Sequence, residues 1–228
     1  MKIINLIENT KGHEGCAYAH GLSFYVETTK HKLLLDLGPS EETLHNADKL
    51  GVYLKEVDTV ILSHGHYDHS GYYIIDVELE LFTIKQRSHA LPFTNNRLLI
   101  KESDGFARDN FLHEQYLVIR DGKTRILLSG CAHNGMLSIL DAFRDKYGVA
   151  PDVAISGFHL MKKTEYSKEE IQEITDIGNE LKKYSTHFIT CHCTGEPAYE
   201  IMKLIMGEQL QYVHCGEEVN WRNDKYRN

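Results

Sequence analysis

The sequence predicts a layered α/β protein, on three observations. Short apolar runs of strand length recur along the chain. Stretches with helical spacing of apolar residues fall between them, and both kinds of element occur in each half. No linker-like tract divides the halves, so residues 1–228 are read as a single domain. With 42% of its residues hydrophobic, the chain carries enough apolar material for a sizeable core.

The elements follow in order. KIINLIEN, GLSFYVETT and KLLLDLG read as strands, with Thr29-Lys30-His31 as a hairpin turn between the last two. A helix is expected from about Ser40 to Leu50, stopped by Gly51. VDTVILS, residues 57–63, is nearly continuously apolar and predicts a strand buried on both faces. ELELFTIK alternates like a strand, and residues 87–114 read as a long irregular loop of the kind that carries function. QYLVIRDGKTRILLSG predicts a hairpin with Asp121-Gly122 as its turn. NGMLSILDAFRDKYG predicts a helix with Leu137, Leu140 and Phe143 on one face, ending at Gly148. PDVAISG reads as a buried strand. Ser167 and Glu170 form a capping box for a helix carrying Ile171, Ile174, Ile177 and Leu181 at helical spacing. THFITC predicts a strand, EPAYEIMKLIMG a helix with Pro197 in its first turn, and QYVHCG a last strand.

Composition narrows the function classes. The 33 Asp and Glu outnumber the 25 Lys and Arg, for a formal charge of −8, which argues against nucleic acid or an anionic membrane as the main partner. No apolar run approaches the roughly 20 residues that span a bilayer, and the opening MKIINLIENTKGHEG lacks the apolar core of a signal peptide. Five cysteines, at 16, 131, 191, 193 and 215, suit reduced thiols in a cytoplasm better than a disulfide framework. The 14 histidines are the unusual feature, since neutral imidazole is the commonest metal ligand.

Four of the candidate ligands lie together in His64-Gly65-His66-Tyr67-Asp68-His69, directly after the VDTVILS strand. Residues two apart in an extended loop point the same way, so His64 and His66 can grip one cation, with Asp68 and His69 facing a second. Three imidazoles and a carboxylate within six residues are costly to bury unless something satisfies them, and a metal ion does. His133 in SGCAHNG, His159 in ISGFHL and His192 in ITCHCTG each follow a strand. The residues alone leave each open between a ligand and a loop-stabilising role, and His159 also as an acid or base facing substrate. His89 is read as supporting the ligands or touching substrate, and His20 as lining the pocket. His13, His31, His45, His113, His187 and His214 have no motif support. Cys191 and Cys193 read as small buried residues pointing away from His192.

VDTVILSHGHYDHSG resembles the metal-binding signature of the metallo-β-lactamase superfamily, His-x-His-x-Asp-His at the end of a core strand. KLLLDLG is similar to that superfamily's strand-Asp-x-Gly element, which implies that Asp36 orients the ligands. AHGLSFYVET, LLSGCAHNG, ISGFHL and ITCHCTG resemble the branch typified by dihydropterin–(ribofuranosyl)aminobenzene phosphate synthase, so the likeness runs from about residue 1 to 219. It implies a four-layer αββα sandwich, α/β or in some schemes α+β, with the metals at one edge between two sheets. The implied ligands are His64, His66, Asp68, His69, His133 and His192. Ala19 stands where the branch often has Glu, Gly71-Tyr72 where it tends to have Gly-Gly, and the short middle segment leaves little room for a substrate module.

The resemblance implies two divalent transition-metal ions, zinc ahead of manganese or iron, and a small-molecule substrate. Between cations about 3.5–4 Å apart a bridging water becomes a nucleophile near neutral pH. Asp68 would bind one metal and orient that hydroxide, and His159 would serve as acid or base. No bridging carboxylate stands in SGCAHNG, where many relatives have Gly-Asp. The leading expectation is a metal-dependent hydrolase of a small ester, phosphoester or related compound. The alternative is a transferase condensing a dihydropterin diphosphate with an arylamine, and a non-catalytic ligand-binding relative ranks below both. A di-iron reductase usually carries Glu where His66 stands, and a nuclease is disfavoured by the acidic charge.

Overall fold

The computed structural model describes residues 1–70, 101–102, 105–106 and 114–221. The expected ELELFTIK strand, most of the 87–114 loop, His89 and His113 lie outside the described residues. The chain folds as two stacked sheets with helices on the outer faces. The first sheet has the order β1 (Lys2–Ile7), β2 (Ser23–Glu27), β3 (Lys32–Leu35), β4 (Thr59–Ile61). Its first three strands are antiparallel neighbours, and β4 runs parallel to β3. After α1 (Glu42–Lys49) and the short α2 (Tyr67–Ser70) comes a small ladder of β5 (Lys101–Glu102) and β6 (Gly105–Phe106).

The second sheet is built from β7 (Leu117–Asp121), β8 (Thr124–Leu128), β9 (Val153–Ser156), β10 (His187–Thr190) and β11 (Leu210–Tyr212), side by side in that order. β7 and β8 form the hairpin, and β8 to β11 are parallel. Parallel strands need long crossovers, and α3 (Met136–Tyr147), α4 (Lys168–Leu181) and α5 (Glu196–Met206) supply them. No helix among the described residues is long and apolar enough to cross a membrane.

Strand alternation sorts the core into three apolar layers. Between the sheets, Ile3, Phe24, Val26 and Leu35 meet Ile126, Leu128, Ile155 and Ile189. The intervening residues of the first sheet, Ile4, Leu6, Tyr25 and Leu34, turn outward onto Ala47 of α1. Those of the second sheet, Leu127, Ala154 and Phe188, pack on Leu140, Phe143, Ile174 and Met202 of α3, α4 and α5. The result is the αββα sandwich expected from the sequence.

Gly148 ends α3 in the left-handed conformation at φ 73°, Ser167 and Glu170 close the capping box of α4, and Pro197 lies in the first turn of α5. Three details differ. All three residues of β4 are half-buried, because β4 is the last strand of its sheet among the described residues. The hairpin pairs Asp121 with Thr124, so its turn is Gly122-Lys123, one residue later than expected, with Gly122 at φ 62°. Ile171 is 41% exposed, because the buried stripe of α4 begins a turn later, at Ile174.

Topology makes the site. β1, β3 and β4 run in one direction, as do β8, β9 and β10, and the segments leaving their C-terminal ends carry the polar residues that meet at one edge of the sandwich. Gly130, just past β8, lies tightly against Ser63, just past β4, at that edge. A Cβ there would lie 2.2 Å from Ser63 Oγ and 2.9 Å from Ser63 Cβ. Gly130→Ala is therefore expected to cost about 1–3 kcal/mol, the range for overpacking a filled interior. Urea unfolding of the purified variant checks this, and unchanged stability would contradict the close approach.

Candidate metal centre

Asp36 is the first fixed point. It follows β3, is fully buried and takes a positive φ of 62°. Its Oδ1 accepts the Ser63 backbone N–H at 2.7 Å, and its Oδ2 accepts the Ser63 hydroxyl at 2.7 Å and His69 Nδ1–H at 2.6 Å. The Ser63 oxygen in turn lies 2.8 Å from His64 Nδ1. One carboxylate thus sets both ends of the His64–His69 loop. On the opposite side, Asn9 Oδ1 accepts from His192 Nδ1 at 2.9 Å, and Glu8 Oε2 accepts the His192 backbone N–H at 3.0 Å.

With their Nδ1–H groups engaged outward, neutral His64, His69 and His192 turn the lone pairs of Nε2 inward. Those nitrogens converge. His64 Nε2 is 2.9 Å from His66 Nδ1 and 3.3 Å from His133 Nε2. His69 Nε2 is 3.2 Å from His192 Nε2, and Asp68 Oδ2 lies 3.5 Å from His192 Nε2 and 3.7 Å from His69 Nε2. With both Nδ1–H groups engaged, the Nε2 lone pairs of His69 and His192 face one another and repel unless a cation or a proton lies between them. The donor set fits a metal, as two clusters: His64, His66 and His133, and Asp68, His69 and His192. Cys131 joins His64 and His133 in one compact group of potential ligand atoms, and His69 and His192 in another.

The backbone is bent to build this. Among the described residues, the non-glycine positions with positive φ are Asp36, Ala132, His159 and His192, at 62°, 50°, 53° and 48°. Each lies just beyond a strand at the site edge. Left-handed backbone costs an L-residue roughly 1–2 kcal/mol, and such strain gathers where surrounding contacts over-determine the geometry.

Electrostatics agree with a site made for cations. Burial and the neighbouring imidazoles, His69 first, hold His64 far below the ordinary histidine range. Burial, with His159, His66 and His69 close by, pushes His133 down to about 3. Burial likewise drives His192 well down. His69 goes the other way: burial opposes its charge, but the Asp36 carboxylate outweighs this and raises it.

The residues singled out in the sequence divide clearly. His64, His66, Asp68, His69, His133 and His192 come together, with Asp36 behind them. His20 lies at the opening, its Nε2 3.3 Å from Asp68 Oδ2 and its side chain 48% exposed. His159 is exposed, with its ring 4.0 Å from that of His133. His31 pairs with Asp58 away from the centre, and His187 is buried on β10. Cys193 is buried, as expected, at 5% exposure, but strand alternation is not what places it. His192–Thr194 form a 3₁₀ turn entered at positive φ, so strand alternation does not apply there. Cys193 instead stands with Cys131 and His159 as neighbouring potential ligands. Cys191 does belong to the core between the sheets.

Sequence reading missed four contributors. Ser63 and Asn9 orient ligands, and Glu8 fixes the His192 turn. Glu114, 2% exposed, receives the backbone N–H groups of His133 and Asn134 and the Tyr116 hydroxyl, which shapes the His133 loop. Only Ser63, adjacent to the motif, carried a local signal.

The histidine shifts fix a pH dependence for the metal-free protein. Groups whose folded pKa is lowered, His64, His133 and His192, take up protons in the unfolded chain first, so their stability is lost as pH falls below about 6.5. His69, raised, contributes stability below that value and offsets part of the loss. Three lowered groups against one raised give a net loss. With chelator present, the melting temperature is expected to fall between pH 7 and 4.5, and to fall less in His133→Gln. A flat profile, or equal slopes, would contradict the arrangement.

Comparison with known proteins agrees with this edge-sited centre. The family model of the metallo-β-lactamase superfamily matches residues 19–71, which contain Asp36 and the whole His64–His69 motif. An uncharacterised protein of Methanocaldococcus jannaschii is 25% identical over 259 residues, spanning 93% of this chain and 97% of its own. The 7,8-dihydropterin-6-methyl-4-(β-D-ribofuranosyl)-aminobenzene-5'-phosphate synthase of the same organism is 25% identical over 290 residues, spanning 97% of each. The structure of a metal-dependent hydrolase of the β-lactamase superfamily superposes with a TM-score of 0.70 at 24% identity, covering 98% of this chain and 100% of that one. Human tRNase Z, short form, superposes at 0.54 with 10% identity over 96% of this chain and 99% of its own. The chain has the metallo-β-lactamase fold and carries that superfamily's signature across the strand and loop that build its candidate metal centre.

Proposed function

We propose that the protein is a metal-dependent hydrolase acting on an ester, phosphoester or related bond of a small molecule. The observation that carries this reading is the pair of facing clusters, His64–His66–His133 and Asp68–His69–His192. Each offers three protein ligands and so leaves a position for water or substrate, the pattern of catalytic rather than structural sites. Nitrogen-rich sets of this kind suit zinc, with manganese and iron as the other candidates.

When bound, two such ions supply a nucleophilic water at neutral pH and polarise the oxygen of the bond to be cleaved. The chain's own residues do the rest. Asp36, Ser63 and Asn9 keep the ligand rings in one tautomer and orientation. Asp68, buried beside His69 and His192, adds the negative charge of its cluster and would help orient the incoming water. His159, raised by its hydrogen bond to Cys193 and exposed beside His133, is placed to act as acid or base toward a leaving group. His20, half-exposed next to Asp68, faces the substrate side.

The transferase reading has one specific support, the end-to-end similarity to the dihydropterin synthase. In that reaction the same residues would hold cations that neutralise a departing diphosphate.

Elemental analysis of protein purified from metal-replete medium is expected to give close to two transition-metal ions per chain. His66→Ala is expected to lose activity against a panel of esters and phosphoesters by about 100-fold or more, the scale set by losing one electrostatic stabiliser of the transition state. Its metal-free melting temperature should stay near that of the parent. Negligible metal, or an active His66→Ala, would refute the hydrolase. Incubation with a dihydropterin diphosphate and an arylamine separates the two readings: a condensed product selects the transferase, and diphosphate hydrolysis alone the hydrolase.

A further inference from the structure

Only one of the two clusters carries a carboxylate, Asp68, and among the described residues no second carboxylate joins the groups of potential ligands. A negative ligand between two dications is the element that is missing. We propose that the Cys131 thiolate fills this position and bridges the two metals through sulfur. The inference rests on the dinuclear reading above.

Three observations carry it. Cys131 belongs both to the group with His64 and His133 and to the group with His69 and His192, and within each group all ligand atoms lie within 4.8 Å of one another. A side chain common to both clusters occupies the place of a bridge. Second, Sγ is 3.1 Å from His69 Nε2 and the residue is 3% exposed, so the thiol is aimed at ligand nitrogens and not at solvent. A thiol serving only as packing would instead sit among apolar side chains, as Cys191 does.

Third, the backbone on both sides of Cys131 is specialised to deliver it. Gly130 lets the end of β8 close onto Ser63, where any Cβ would collide. Ala132, at φ 50°, turns the chain so that Cys131 and His133 both reach the centre. Cys193 lies behind the bridge, its Sγ 3.5 Å from the Cys131 carbonyl oxygen and in reach of His159, and Gly157 leaves it room, since a Cβ there would be 2.6 Å from that sulfur.

A thiolate bridge would give each cluster a fourth protein ligand, so water or substrate would take a fifth position, as at catalytic zinc sites that expand to five-coordinate. The bridge supplies the single negative charge that a bridging carboxylate would supply, but as a soft donor. It therefore favours zinc, iron or copper(I) over magnesium or calcium. The thiol proton is released to water as the metals bind.

The test loads the metal-free protein with cobalt(II) and, separately, with zinc. Near-ultraviolet absorption of the cobalt form is expected to show a thiolate-to-cobalt charge-transfer band that persists in Cys193→Ser and vanishes in Cys131→Ser. X-ray absorption of the zinc form is expected to require a sulfur neighbour at about 2.3 Å, averaging one per zinc because both ions share it. An average of half a sulfur per zinc would mean a terminal ligand and overturn the bridge. Two metals bound with no sulfur neighbour would overturn it while leaving the dinuclear centre standing. A band lost only in Cys193→Ser would move the ligand to the other thiol, also against the proposal. Failure to bind metal at all would instead remove the centre on which the proposal rests. If Cys131→Ser does not fold, the sulfur count of the parent protein decides.

Discussion

The buried carboxylate of Asp36 is the constraint on which the site depends. It lies at the end of β3 with no exposure, and its two oxygens hold a backbone amide, a hydroxyl and an imidazole. A carboxylate buried without partners would be driven to neutralise, so these three donors are as necessary to Asp36 as it is to them. Through them it sets the Ser63–His69 loop, turns His69 so that Nε2 faces inward and, by way of Ser63, does the same for His64. Asn9 repeats the device for His192 from the end of β1. The candidate ligands are held in place by the fold itself, an arrangement that would lower the ordering cost of binding a cation.

This aim has a stability cost that the sandwich offsets. Imidazoles crowded nitrogen to nitrogen, a glycine that admits no Cβ and four left-handed residues are unfavourable in isolation. They persist because each hangs from the end of a strand whose side chains are locked in one of the three apolar layers. Parallel strands running the same way in the second sheet, and β1, β3 and β4 agreeing in the first, present these ends at one edge. The fold concentrates functional residues there as a consequence of topology, and the chemistry is set by which side chains leave the strands.

How much of this was legible depended on range. The layers could be read because strand alternation and helix caps are local, as with Ser167 and Glu170 or Gly148. The His64–His69 motif could be read because its ligands are neighbours in sequence. Read from the residues alone, His133 and His192 are marked only by following strands, because what joins them to the motif is a distance across two sheets, and it is the family resemblance that implies them as ligands. Asn9, Glu8 and Glu114 could not be found, since each acts on a residue far along the chain. Cys193 is buried as its residue type suggests, but in a turn entered at positive φ, where strand alternation says nothing of its neighbours. Cys131, two residues before a candidate ligand, carries no signal of its own in the sequence, and only the fold places it beside ligand atoms of both clusters.

The most direct measurement is diffraction from crystals of metal-loaded protein, with anomalous scattering recorded at the absorption edge of the metal. Two peaks are expected, one among His64, His66 and His133 and the other among Asp68, His69 and His192. A fully loaded crystal whose peaks lie outside these residues, or which shows none, would contradict the central claim that this edge of the sandwich is built to hold a pair of metal ions.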